Sequence, residues 1–432
     1  MKDLRPTEAL IAFWLLIATS IQNAHAADWP RWRGPSGDGH TPLEEARLLS
    51  LPEDPKVTLK IPAGGGFASP IVAGNRLYLF DNQEGHETIR AIDLGSKDVL
   101  WEQAVDAVFK DGQGLPGPRN TPQIDENRLF AVSCRGELQC LDARNGTLIW
   151  RQNYVDDFGA VFIGERGSIQ GAARHGNNGS PLIDGERLYA CAGGKNGSSI
   201  VCLNKRTGTL IWKSQDDLAG YAPPVKALVG GTDQLFCYTV SGLLSLKPDD
   251  GQLLWRFPVS TPFGRHVTTP IGYQGIVIIS SIEEGLIATR TSSSPDGSVA
   301  QERAWQSKVS AINFSSPIRI GAYLYGLGPE KNFICVDLAT GVQQWSKKGY
   351  IFTSAEQAHA AFIAMNDRIL ALTDTGELVL FEANPNKFVE LGRTQVCGKT
   401  WSNPAYADGV IYLRDGLRKS GHFYGLQLTP AL

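Results

Sequence analysis

Short apolar runs separated by turn residues repeat along most of the chain. SPIVAGNRLYLF (Ser69–Phe80), SPLIDGERLYAC (Ser180–Cys191) and SPIRIGAYLYGL (Ser316–Leu327) each open on Ser-Pro, cross a turn and continue as an apolar strand. A second element follows in register. AIDLGSKDVLW (Ala91–Trp101), CLDARNGTLIW (Cys140–Trp150), CLNKRTGTLIW (Cys202–Trp212), SLKPDDGQLLW (Ser245–Trp255) and CVDLATGVQQW (Cys335–Trp345) have one length and one pattern. Each reads as a strand end, a turn centred on Asp/Asn/Thr-Gly, and a short strand ending in an indole. Glycine four residues before the tryptophan permits the positive φ that such turns require. The first copy departs, with Lys97 at that place and Gly95 two residues earlier.

Eight starts of the first kind are found: Ser69-Pro70, Thr121-Pro122, Ser180-Pro181, Pro223-Pro224, Thr269-Pro270, Ser316-Pro317, Ala361-Phe362 and Asn403-Pro404. They lie 42–59 residues apart. About four short strands per unit at this period predict an all-β fold, an eight-bladed β-propeller of four-stranded antiparallel blades. The eighth unit runs out of chain before its outer strand, and an open edge invites aggregation. VTLKIP (Val57–Pro62), with Leu59 in the tryptophan position, is the expected replacement, so the N-terminal segment closes the ring. Trp101, Trp150, Trp212, Trp255 and Trp345 are expected to pack each blade against the next, burying roughly 200 Å² apiece. Cys140, Cys202 and Cys335 share a repeat position with Ala91 and Ser245, and read as small packing residues.

Composition narrows the function classes. The chain has 432 residues, 42% hydrophobic and 20% charged, with a formal net charge of -3. No basic stripe points to nucleic acid. Lys2 and Arg5, the apolar stretch LIAFWLLIATSI and Ala24-His25-Ala26 read as a signal peptide over residues 1–26, followed by an extension (27–56) and the propeller (57–432). The apolar stretch falls short of the roughly 20 residues of a membrane span. An exported protein with no stable membrane insertion after signal cleavage, periplasmic or secreted, is expected. Of seven cysteines, Cys191 and Cys202 flank a hairpin and are a candidate pair. No pair has metal-ligand spacing.

The eleven-residue element resembles the tryptophan-docking motif of quinoprotein propellers, A-x-D-x-x-T-G-x-x-x-W. DWPRWRGPSGDG (Asp28–Gly39) and KTWSNPAYADGVIYLRDG (Lys399–Gly416) are similar to segments of the exported PQQ-repeat proteins common in planctomycete-type bacteria. Better-known relatives are the PQQ-dependent alcohol dehydrogenases and the propeller lipoprotein of the outer-membrane assembly machinery. The dehydrogenase resemblance implies PQQ in the funnel between a tryptophan and a disulfide of adjacent cysteines, with calcium held by Glu, Asn and Asp and an Asp as base. This chain has no Cys-Cys pair and no calcium-loop spacing, and Asp93, Asp142 and Asp337 belong to the repeated turns. No catalytic residue carries over. The lipoprotein resemblance lacks its lipid-anchored cysteine. The expected function is non-catalytic binding or scaffolding, with a PQQ-dependent alcohol or sugar dehydrogenase as the alternative.

The residues two before each start should ring the axis: Phe67, Arg119, Asn178, Tyr221, Val267, Phe314, His359 and Trp401. Asn120, Asn177, His266, Asn313 and Thr400 adjoin them. Such a ring of aromatic and polar side chains suits a flat or polar small molecule, a peptide or a glycan, and a periplasmic or extracellular protein is the other expected partner. RHGNNGSP (Arg174–Pro181) and FGRHVTTP (Phe263–Pro270) bring cations near the axis, so Arg119, Arg174 and Arg265 are the expected contacts of an anionic quinone or acidic sugar. Asp28–Gly39 lies outside the repeat, either as a clasp packed on the ring or as an exposed arm.

Overall fold

The computed structural model describes residues 28–42, 48–165, 168–293, 299–354 and 357–429. The expected signal peptide lies outside them. The described residues form eight four-stranded antiparallel sheets. Blades one to seven are continuous in sequence (71–107, 123–153, 182–214, 225–258, 271–307, 318–347 and 360–395). Blade eight takes three strands from 405–427, and its fourth is Lys56–Ala63, antiparallel to Gly421–Gln427. The N-terminal strand thus closes the ring, with Leu59 opposite Gly425.

Burial explains the strand patterns. The middle strands lie between two blades and are covered on both faces, as in Glu137–Asp142, where five of six residues are buried. They therefore read as continuous apolar runs rather than alternating ones. The outer strands are covered on one face only, and Leu148–Asn153 buries little beyond Trp150. The core is a series of seams between blades. One seam joins Phe130 and Trp150 of blade two to Leu188 and Val201 of blade three.

Each regular blade carries a cross-strand row of aromatic, small residue and indole. Tyr78, Ala91 and Trp101 are paired partners in blade one. Phe130, Cys140 and Trp150 form the row in blade two. Tyr325, Cys335 and Trp345 do so in blade six. The aromatic and indole rings meet at 5.8–6.0 Å over the small middle residue. The shared cysteine position is therefore a packing position, fully buried and unoxidised. Cys191 and Cys202 are likewise both free. Their strands pair Cys191 with Ile200 and Cys202 with Tyr189, so the two are not cross-strand partners, and Cys191 instead faces Cys237 of the next blade.

The indoles also bind forward. Nε1 of Trp101, Trp150, Trp212 and Trp345 donates to a backbone carbonyl of the following blade at 2.8–3.2 Å. The turn glycine of that blade lies on the ring: a Cβ at Gly146, Gly208 or Gly251 would come within 2.5–2.6 Å of the preceding indole. The same reasoning accounts for Lys97. It has a φ of 71°, yet the outer strand before it carries Leu59 and no indole presses on the turn. Trp255 departs from the expected pattern, because its Nε1 donates to Gln234 within its own blade. Trp305, which lies outside the eleven-residue pattern, binds forward as those four do: it reaches Leu338 of blade six and lies against Gly341. Asp93, Asp142 and Asp337 accept backbone N–H groups of their own turns.

Residues 28–42 cross the axis beside the innermost strands. Trp29 exchanges two backbone hydrogen bonds with Val72 of blade one. Ile124 of blade two donates to Pro30, and Thr41 donates to Ala364 of blade seven. Between them Arg33 is buried and donates to Asp38 and Pro317 carbonyls. Burial lowers its pKa to about 10, which still leaves it charged at neutral pH. Of the two readings of Asp28–Gly39, these contacts describe a packed segment.

Candidate functional site: a cup on the propeller axis

The connectors that lead from each outer strand to the next blade converge on a cavity of about 240 Å³. All eight side chains two residues before the blade starts line it: Phe67, Arg119, Asn178, Tyr221, Val267, Phe314, His359 and Trp401. The regular spacing from start to axis makes this placement legible. Arg174 and Arg265 line it too, with the blade-start residues Ser180, Pro223, Ser316 and Asn403, and four residues outside the expected ring join them: Trp32, Gln113, His175 and Phe263. Trp32 comes from the crossing segment and forms the floor, so the channel is a cup rather than a pore. His175 and Phe263 stand inside the two quoted cationic segments, which was their only signal.

The neighbours behave differently. Asn120 turns away to the Gly179 carbonyl and Asn177 to that of Cys134. His266 is buried, stacked on Tyr238 at 4.2 Å, and bonded to Thr239 and Thr261. Thr400 is buried outside the lining, and Asn313, also outside it, has an unpartnered Oδ1. These five brace the wall.

One side of the cup is aromatic. Trp401 meets Phe67 at 5.8 Å and Phe314 at 5.6 Å, and its Nε1 is pinned to the Gln357 carbonyl at 2.8 Å. The other side is cationic. Arg174 and Arg265 lie over the Phe263 ring, at 4.8 and 5.6 Å from its centroid. Arg119 sits over Phe67, but its charge is already matched by Asp111 at 2.5 Å. Asp111 also accepts from His175 Nδ1 at 3.0 Å, and Arg174 donates to His175 Nε2 at 3.2 Å. Burial alone would raise Asp111, but the His175 bond and the Arg119 charge bring it down to about 2.

Two lining groups have atoms without partners. His359 is 5% exposed with Nδ1 unbonded, and burial lowers its pKa to about 4, so the ring is neutral at pH 7. Asn178 Oδ1 is also unbonded. Tyr221 is tied by its hydroxyl to the Gly171 carbonyl at 2.8 Å. Burial pushes that phenol up, against the pull of Arg119, Arg174 and Arg265.

Asp111, Glu165 and His175 bring ligand atoms within 4.8 Å of one another. The guanidinium on Asp111 already holds the place a cation would take. Calcium-linked PQQ is tested by the same donors. Among the described residues no carboxylate and no cysteine lines the cup, whereas calcium requires six to eight oxygen ligands rich in carboxylate. The residues present do not fit that group.

The ring of eight blades, its aromatic–small–indole rows and its axial cup define an eight-bladed PQQ-repeat β-propeller. Residues 85–347, more than half of the chain, match the family described as outer membrane protein assembly factor BamB, and the chain belongs to that family. BamB of Shewanella oneidensis is 23% identical over 279 residues, 62% of this chain and 66% of that protein. BamB of Moranella endobia is 22% identical over 267 residues, 58% and 63% of the two chains. The match thus spans just under two thirds of the length of these curated relatives. The crystal structure of BamB from Moraxella catarrhalis covers 85% of this chain and 97% of its own, with a TM-score of 0.56 and 13% identity. The computationally designed Ika8 protein has a TM-score of 0.54 at 10% identity, covering 88% and 99%. At these identities the structural likeness carries the fold alone. No helix among the described residues is long and apolar enough to cross a membrane.

Proposed function

We propose that the chain is a non-catalytic scaffold that acts outside the cytoplasm and offers its cup-face connectors to a polypeptide partner. The observation that carries this reading is the lining itself: three arginines, two histidines and aromatic rings, with no carboxylate or thiol among the described residues to serve as nucleophile or base. The family description, an assembly factor, supports a protein partner. So do the connectors, which expose Ile163, Val309 and Phe352, the last two at 67% and 68%. These are the apolar positions that a polypeptide docked on the connectors would cover.

Export through the signal peptide belongs to the same proposal, and N-terminal sequencing of the exported protein is expected to begin at Ala27. Deleting the gene should lower the levels of outer-membrane β-barrel proteins in the source bacterium. Wild-type protein should restore them, and the double variant Val309→Asp, Phe352→Asp should not. Calcium-dependent one-to-one binding of PQQ, with alcohol- or sugar-dependent reduction of a dye acceptor, would overturn the scaffold reading in favour of the dehydrogenase.

A further inference from the structure

Neighbouring blades face one another at equivalent places around the ring. Two residues after the first member of a cross-strand row, a side chain points forward; one residue after it, a side chain points back. Phe80 of blade one thus shares a seam with Ala131 of blade two. Val132 shares one with Ala190, and Tyr238 with Ile279. Between blades three and four the same two places hold Cys191 and Cys237. We propose that these two thiols are a cross-linking site, oxidised by a small external disulfide to a covalent staple between the blades.

Strand register fixes the two directions. Cys191 follows Tyr189 by two residues, so both point to one face, and the Tyr189 hydroxyl reaches the Pro248 carbonyl of blade four. Cys237 follows Phe236 by one residue. It therefore points away from the Phe236–Trp255 row and back toward blade three. The strand partners agree: Ile200, opposite Cys191, and Leu244, opposite Cys237, lie in this same seam. The two thiols are in contact, and that contact, followed by burial, holds Cys237 well above the usual thiol range. Facing side chains in contact are what a disulfide requires. Cys202 lacks this relation. It stands two residues beyond the partner of Cys191, on a diagonal of about 7–8 Å, beneath the Tyr189 and Trp212 rings. Packing alone is met in the other seams by a larger apolar residue on a smaller one, and calls for no second thiol.

Burial sets the order of events, because Cys191 is half-buried and Cys237 fully buried. The Cys191 thiolate attacks one sulfur of a small disulfide, such as glutathione disulfide, and releases one small thiol. The Cys237 thiol then gives up its proton and attacks the Cys191 sulfur of the mixed disulfide, releasing the second small thiol. Two protein thiols lose two electrons and two protons, and the small disulfide takes up both. The staple would fasten a wall of the cup. Gly193, two residues past Cys191, presses on the connector that carries Tyr221, where a Cβ would come within 2.7 Å of the Ala219 amide nitrogen. Oxidation in the cell rests on the export proposed above, because thiols in the cytoplasm stay reduced; the facing of the two thiols does not.

The test is thiol mapping of the folded full chain after incubation with glutathione disulfide. Alkylation in denaturant should count seven free thiols before oxidation and two fewer after it. Trypsin cuts after Lys195 and so separates Cys191 from Cys202, and a reducible link should join the Cys191 and Cys237 peptides. Oxidation should raise the melting temperature by about 5 °C. Cys191→Ser should show neither the link nor the rise, whereas Cys397→Ser should keep both. All seven thiols remaining free would overturn the proposal, as would glutathione on Cys191 without a link, a link to Cys202, or a melt that the link leaves unchanged. N-terminal sequencing reports on export and the thiol map on the pair, so the failure of either is distinguishable from that of the other.

Discussion

Glu87 shows how one residue can set a pH response. It is fully buried in blade one, with Oε2 accepting from the Cys134 amide and Oε1 unpartnered. Burial raises its pKa from 4.5 to about 8. Between those values the folded state holds a proton that the unfolded state has lost, so stability falls as pH rises through the window. His266 and His359 act in the opposite sense. Burial lowers each from 6.5 to about 4, so their contribution is complete above 6.5 and lost as pH falls toward 4. The slopes oppose one another between 4.5 and 6.5, and the Glu87 window extends beyond those of the two histidines, from 6.5 to 8. Glu87→Gln, which mimics the protonated acid, should remove the decline in melting temperature over that upper range and raise stability at about pH 8. Thermal melts from about pH 5 to 9 check this, and an unchanged profile would show that Glu87 ionises normally. The eight cup residues were legible because a strand start fixes what stands two positions earlier. That Arg119 is matched by Asp111 was not, because the connector carrying Asp111 has no counterpart in the repeat.

At the scale of elements, the repeated turn glycine has two separable jobs. Gly185 and Gly208 both have positive φ, 56° and 72°. A Cβ at Gly185 meets nothing within 4 Å, whereas one at Gly208 comes within 2.6 Å of Trp150. Gly185→Ala should therefore cost only backbone strain, about 1 kcal/mol. Gly208→Ala should add an overpacking penalty of about 1–3 kcal/mol and loosen the seam between blades two and three. Chemical denaturation separates the two, and equal losses would mean that the indole contact carries no weight. This division also explains what the sequence showed. Where the turn and its tryptophan recur in register, blades one to four and six could be read directly from the pattern, blade one without the turn glycine. Trp305 escaped because its hairpin carries no Thr-Gly turn four residues earlier. Trp255 binds backward for a related reason: blade five has no such turn to receive it, and Gln234 supplies the acceptor instead.

A propeller succeeds or fails as a whole at its closure. Here the last blade is completed by a strand from the opposite end of the chain, so Lys56–Ala63 and Gly421–Gln427 must meet across more than 350 residues of sequence. The sequence exposed this through VTLKIP and its Leu59, but nothing in the repeat foretold that Trp32 would seal the cup, because the crossing segment belongs to no blade. Two truncations distinguish the roles. Removing residues through Pro42 takes away Trp29, Trp32 and Arg33 but leaves every sheet complete. That protein should stay monomeric and β-rich, melt at a lower temperature, and lose the floor of its cup. Removing residues through Ala63 bares the outer edge of Gly421–Gln427, and an unpaired edge recruits other chains. This second protein should aggregate or form dimers on size-exclusion chromatography, and a peptide of residues 48–63 added during refolding should return it to a monomer. If the longer truncation remains monomeric with an unchanged melt, the closing strand is dispensable, and the ring is held by the seams between blades rather than by the joining of its ends.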